Sequence, residues 1–495
     1  MAPTIQIRKR LPPRGFKNVL KMCLAGAWIL MICRTPADPD LWGHVRFGQD
    51  LLRSGRLSAV DPYSFTSDRP WVNHEWLSEV VMALAFGRAD AVGLNLLRLL
   101  VVGAALAFVW RRAQVVAPAY RSILVALAAV GITLRALPVR PQLFSLACFA
   151  ALLAVLTTAE EKRRDALLLW IPPIFALWVN LHGGWIVGLG TMGLWTVACL
   201  FNRPRRRWWA LPAATAAAAL ATLINPYGVG MWSFLSATVG ANRPMISDWL
   251  PMYKMPPAFW LGWLIGAGLC VAAWRQRARV PLWYLAPVAI LGVAAIRVNR
   301  LDAFFCLTAV FLLTSVFPAA EVESGVLDRP SRAMQFAGVT CGCAIAIAAT
   351  LQLRHLDVRP DLMPESASVE YVLEQRLTGR FLTWFDWGEF AIWHLADHDV
   401  RVSIDGRRET VYSDTVVNDH LRFYAAANDT VDYARRIQAD YAWLPIGLPA
   451  VKTLEAEGWS LAFKGPVSVI LRAPGHAAGV PRVVDRTAVR EFPGP

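Results

Sequence analysis

Long apolar runs separated by short polar connections fill the first three quarters of the chain. Runs of about 17 to 25 apolar residues match the reach of a helix across the hydrocarbon core of a bilayer. Eleven such runs centre near Ala25, Leu100, Ala128, Phe149, Leu169, Gly190, Ala217, Ile265, Ala289, Val310 and Ile345. From about Leu356 the pattern turns polar and mixed. "SASVEYVLEQRL" and "PAVKTLEAEG" read as helices, "GRFLTW", "DVRVSID" and "ADYAWL" as short strands, and "WSLAFKGPVSVILRA" as a hairpin. The expected architecture is a mainly α polytopic membrane protein with a small C-terminal α/β domain outside the membrane. The boundaries expected are residues 1–355 for the membrane domain, with an outer loop at 34–92, residues 356–475 for the α/β domain, and a polar tail at 476–495.

Composition strengthens this picture. Hydrophobic residues make up 56% of the 495 and charged residues only 17%, so too few polar side chains exist to cover a water-facing surface. The net charge of +14 is carried largely by short clusters at the ends of apolar runs, such as "IRKRLPPRGFKNVLK", "EEKRRD" and "FNRPRRRWW". Basic loops are retained in the cytoplasm. That places the N-terminus inside a bacterial inner membrane and, with an odd number of crossings, the outer loop and C-terminal domain outside. Dispersed clusters of this kind exclude a nucleic-acid surface. Most of the eight cysteines sit in apolar runs and none follows Cys343, so the outside domain folds without a disulfide. The first run lacks an A-x-A cleavage site and reads as an uncleaved anchor.

One polar stretch breaks the apolar pattern. "DPDLWGHVRFGQDLLRSGRLSAVDPYSFTSDRPWVNHEWLSEV" holds seven carboxylates, four arginines, two histidines and three tryptophans. Leu41, Val45, Gly48, Leu51 and Leu52 share a helical face, which predicts an amphipathic helix along the membrane surface. "HEWLSEVVMALAFGR" repeats the pattern. Asp38 and Asp40 stand two apart where the first run leaves the membrane. They are simply solvated there, or one is a general base for a hydroxyl, or both share a divalent cation. His44 lies four residues past Asp40, on the same helical face. His74 and Glu75 pose the same choice between chemistry and interfacial anchoring, and Asp61 lies between them and the first helix.

Other outer connections carry polar residues as well. Arg140, Arg243, Arg297 and Arg300 come from three of them. Each alone reads as snorkelling to lipid headgroups, but four against the positive-inside preference point to a phosphate site, which the planar guanidinium suits. Asn180, His182 and Asp248 sit on the same side. The aromatic "FLTWFDWGEFAIW" reads as domain core, and "IDGRRETVY" places Asp405 and Arg407 in a turn after a strand.

Taken with "VRPQLFS", "LWVNLHGGWIVG", "INPYG" and "TWFDWGEFAIW…VSIDGRRETVY", the polar stretch resembles bacterial membrane proteins of the GT-C glycosyltransferase-like class, in an uncharacterised branch, over most of the chain. The resemblance implies a membrane enzyme that takes a sugar from a polyprenyl-phosphate carrier, with inversion, and passes it to an envelope glycan, lipid or protein. It implies an acid at Asp40 or Asp38 acting on the acceptor, and lipid phosphate held by Arg297 or Arg300. No cofactor is implied with certainty. Where the branch has "DLWWH" this chain has "DLWGH", so one aromatic contact is missing. A non-catalytic envelope-assembly scaffold and a transporter or flippase are the alternative classes, though a transporter would place polar groups at the midplane rather than at one face.

Overall fold

The computed structural model describes residues 26, 28–33, 36–136, 138–202, 208–239, 247–275, 280, 282–319, 332–359, 362–476, 480–485 and 491–494. The N-terminal basic segment, most of the anchor and Arg243 lie outside the described residues.

The molecule is mostly helical. The helices Trp76–Ala113 and Gln142–Lys162 and the segment Pro257–Arg275 are long and apolar enough to cross a membrane. Shorter apolar helices include Asp165–Leu181, Trp185–Phe201, Ala210–Ala221, Trp283–Arg297 and Gly338–Gln352. An integral membrane protein follows from these lengths and compositions. The run around Val310 behaves differently: it forms an eleven-residue helix, Asp302–Leu312, and every residue of it is buried. At 1.5 Å per residue that helix is too short to cross a bilayer. Its apolarity serves packing against Phe149, Trp263 and their neighbours.

The amphipathic segment is helix Leu41–Ser54, closed by Gly55 in the left-handed conformation (φ 65°) that glycine adopts without strain. Its apolar face does not lie along a membrane surface. Leu41, Trp42, Val45, Phe47 and Gly48 are buried against protein, and Leu52 remains exposed. Gly48 packs on the backbone of Glu79, where any side chain would collide. The second amphipathic segment is the opening of the long helix Trp76–Ala113, interrupted at Ala89 and Asp90 (φ 47°).

The C-terminal residues build a six-stranded mixed sheet from β1 (Gly379–Thr383), β2 (Val400–Val402), β3 (Tyr441–Pro445), β4 (Ser460–Lys464), β5 (Ser468–Arg472) and β6 (Arg482–Val483), in the order β2-β1-β3-β5-β4-β6. β1 runs parallel to β2 and β3, and the β4–β5 hairpin adds antiparallel. The outer loop continues this sheet at its edge: Val402 donates from its N–H to Tyr63 O at 3.0 Å and accepts from Phe65 N–H at 3.1 Å. Loop and domain share one core, in which Leu41, Trp42, Phe47, Tyr63 and Trp71 pack with Phe390, Val402, Tyr412 and Trp443. Phe492, in the stretch that reads as a polar tail, is buried against Trp42 and Phe86.

Candidate active site

Where the outer loop, the ends of the membrane helices and the C-terminal domain meet, a cavity of about 430 Å³ opens. Asp40 enters it from just before helix Leu41–Ser54, and His44 follows one turn later. His74, Glu75 and Glu79 come from the start of helix Trp76–Ala113. Arg140 precedes helix Gln142–Lys162, His182 ends helix Ile171–Leu181, and Arg300 lies in the short turn Asn299–Leu301 before the buried helix. The C-terminal domain supplies Glu389 and the turn Gly406–Thr410. Residues hundreds of positions apart thus share one polar chamber.

The chamber's histidine–carboxylate contacts are loose. His44 Nδ1 stands 3.4 Å from Glu79 Oε1 and 4.0 Å from Glu75 Oε2. Glu75 Oε1 is 3.5 Å from His74 Nε2 and 3.6 Å from His182 Nε2. Arg140 pairs with Asp38 and, at 3.3 Å, with Asp248. Arg300 lies over the Trp249 ring, with Nη2 3.3 Å from His182 Nε2.

Burial and neighbouring charge set the protonation states. Burial, joined by the charges of Glu75, Asp405 and Asp248, pushes the Asp40 carboxyl up to about 6 against the opposing pull of His44. A carboxylate in that range is ionised at neutral pH yet basic enough to accept a proton. For His44 burial opposes the charge, but the Glu79 hydrogen bond and the charges of Glu75, Glu79 and Asp40 win, so its pKa rises. Burial likewise opposes ionisation of Glu75, yet His74, His182, His44 and Arg300 together hold its carboxyl below the ordinary range. Arg140 falls to about 10, through burial and repulsion from Arg300, and stays charged.

His182 is held in one tautomer. Its Nδ1 accepts from the Gly184 N–H at 3.0 Å and lies 2.7 Å from Ser145 Oγ, which itself accepts from Trp178 Nε1 at 2.7 Å. Those two contacts put the proton on Nε2, facing the cavity beside the Arg300 Nη2 donor 3.3 Å away, and burial drives the imidazole pKa down to about 3. The "LHGGW" spacing has a physical cause here, because a Cβ on Gly184 would overlap Ser145 Oγ. His182 is a neutral donor.

Not every candidate from the sequence reaches the chamber. Asp40, His44, His74, Glu75, Arg140, His182, Asp248 and Arg300 line it. Asp38 sits behind, tied to Arg140 and accepting from Asp40 N–H at 3.1 Å, so the two acids turn to different partners. A cation shared by Asp38 and Asp40 would have to displace Arg140 from Asp38. Among the described residues no group of three or more His, Cys, Asp or Glu forms a metal-holding cluster. Asn180 is occupied, accepting from Trp76 Nε1 at 2.9 Å and donating to Ile224 O at 2.8 Å. Arg297 ends its helix exposed and away from the cavity, whereas Arg300 three residues later turns in.

Asp61 joins a different structure. Arg407 bonds Asp61 through two nitrogens at 2.8 and 2.9 Å and Asp405 at 2.7 and 2.9 Å, with its guanidinium among the rings of Phe47, Tyr63 and Trp71. Arg46 similarly holds Asp397 at 2.6 and 2.8 Å. These contacts clamp the outer loop to the C-terminal domain.

Sequence reasoning missed Asn73, Glu79, Glu389, Arg408 and Glu409 on the cavity wall. Arg408 adopts φ 41°, a strained backbone for an arginine that puts its buried side chain beside the chamber. Three of these, Glu389, Arg408 and Glu409, lie in "FDWGEF" and "IDGRRET", which read as core and turn.

No family model matches the sequence, and no curated protein matches it either. Solved structures do. ArnT from Cupriavidus metallidurans in the apo state aligns with a TM-score of 0.51 at 13% identity, over 93% of this chain and 98% of that one. The same ArnT bound to undecaprenyl phosphate gives 0.49 at 13% identity, over 94% and 99%. The fold of this chain is therefore that of apo ArnT.

Proposed function

We propose that the protein is a membrane glycosyltransferase that moves a sugar from a polyprenyl-phosphate donor to an extracytoplasmic hydroxyl acceptor on an envelope glycan, lipid or protein. In this reading the acceptor oxygen attacks the anomeric carbon and the bond from that carbon to the phosphate oxygen breaks. The electron pair leaves with the polyprenyl phosphate, the acceptor proton passes to Asp40, and configuration inverts. Arg300, with Arg140 beside it, holds the leaving phosphate, and the neutral Nε2–H of His182 donates to it. The outward-facing cavity and the extracytoplasmic C-terminal domain belong to the same proposal.

The observation that carries the reading is a carboxylate poised near 6 in the same chamber as arginines from two separate connections. Such pairing supplies a base and an anion cradle in one cavity, which transfer from a phosphate carrier needs. A scaffold has no use for a base at that value. Purified protein incubated with radiolabelled polyprenyl-phosphate hexoses and pentoses tests it: label leaving the carrier with at least one donor is expected. Stable, folded protein that releases none across the panel would move the scaffold reading ahead.

A further inference from the structure

Glu389 is a buried carboxyl, 3% exposed, that the transfer chemistry above leaves unused. It opens helix Gly388–Leu395, whose first residue can seat on the turn after β2 because any side chain at Gly388 would collide with Ile404 O. Oε2 accepts from the Gly43 N–H at 3.1 Å, and Gly43 must lack a side chain because a Cβ would overlap this carboxyl. Oε1 points the other way. A Cβ on Gly406 would overlap the Asp40 carboxylate and stand 2.9 Å from Glu389 Oε1, so both carboxyls face the same glycine.

The charges facing Glu389 come from four sides. Asp40 and Glu79 belong to the outer loop and the helix after it, and Asp405 and Arg407 to the turn after β2. Arg407 is already saturated by Asp61 and Asp405, and among the described residues no cation forms an ion pair with Glu389. His44 acts on Asp40, and Arg140 attracts Glu389 without pairing with it. A buried carboxyl with no ion-pair partner, beside a second acid, keeps its proton.

We propose that Glu389, delivered by the C-terminal domain, is the positioning residue for Asp40: a neutral carboxylic acid whose O–H bonds the Asp40 carboxylate, keeping it ionised and aimed at the acceptor. This rests on Asp40 being the base. Burial and the charges of Asp40 and Asp405 raise the Glu389 pKa well above the usual range, which agrees. The domain then completes the chemistry and does more than cover it.

Infrared titration of the full-length protein in lipid nanodiscs tests the assignment without any substrate. Wild type is expected to show a protonated-carboxyl band at neutral pH that fades as pH rises, and Glu389→Gln to lack it. In the donor assay Glu389→Gln, which keeps an N–H donor, should retain activity near neutral pH and lose the alkaline decline of wild type. Glu389→Ala should fall about ten- to a hundredfold, the worth of a hydrogen bond to a charged group. No such band in wild type, a band unchanged in Glu389→Gln, or a Glu389→Gln profile matching wild type in the alkaline limb would overturn the proposal. If no donor is turned over, the infrared arm still decides the state of Glu389, so the two readings fail separately.

Discussion

Two ionic clusters border the same chamber, and they are built to different tolerances. Around Arg407 every guanidinium contact with Asp61 and Asp405 lies between 2.7 and 2.9 Å, and three aromatic rings close the cage. Around Glu75 the distances to His44, His74 and His182 run from 3.5 to 4.0 Å. The first pairs one arginine with two aspartates, and the second gathers three histidines around one glutamate. The first cluster has its hydrogen bonds satisfied internally and joins two parts of the fold. The second leaves polar capacity facing a cavity, which is what a bound substrate would complete.

Breaking each cluster should give opposite signatures. Asp40→Asn is expected to lower transfer by about a thousandfold, within the range for removing a general base. The same change should leave the fold intact and raise thermal stability slightly at neutral pH. The sign follows from the raised carboxyl: its stability contribution is full below the ordinary Asp value and lost as pH rises toward about 6, so above that an amide is better tolerated. Arg407→Ala should do the reverse. It leaves two buried carboxylates uncompensated and should cost about 3–5 kcal/mol, read as a lower melting temperature and faster proteolysis of the C-terminal domain.

Smaller effects sharpen the contrast. Arg300→Ala should weaken donor binding about ten- to a hundredfold, seen mainly in KM, while Arg297→Ala should change nothing measurable because that side chain is exposed. Transfer by wild type should fall as pH drops through about 6, where Asp40 gains its proton, and Asp40→Asn should lack that limb. Gly184→Ala should displace Ser145 from His182, visible as a change of tautomer in nitrogen NMR of the histidine ring.

Much of this was legible in the residues. The helical character, the C-terminal strands and the polar stretch after the first apolar run follow from periodicity and turn chemistry, which are local. What was not legible depended on long-range contact. The apolar face of Leu41–Ser54 covers protein rather than lipid, and the two look identical in a hydropathy pattern. The run at Val310 is greasy because helices surround it. Arg297 and Arg300 differ only by a turn between them, which no spacing rule predicts. Asp61 carried a polar signal that belongs to a clamp. Glu389 was hidden among tryptophans and phenylalanines that pack the domain, and only the meeting of Gly43 and Gly406 from distant elements exposes its partner.

The central claim is that Asp40 activates an acceptor against a polyprenyl-phosphate sugar. Its most direct test compares wild type with Asp40→Asn for release of labelled sugar from polyprenyl-phosphate donors, using matched, folded preparations. The account predicts release by wild type and about a thousandfold less by the variant. Equal release by both proteins would contradict it.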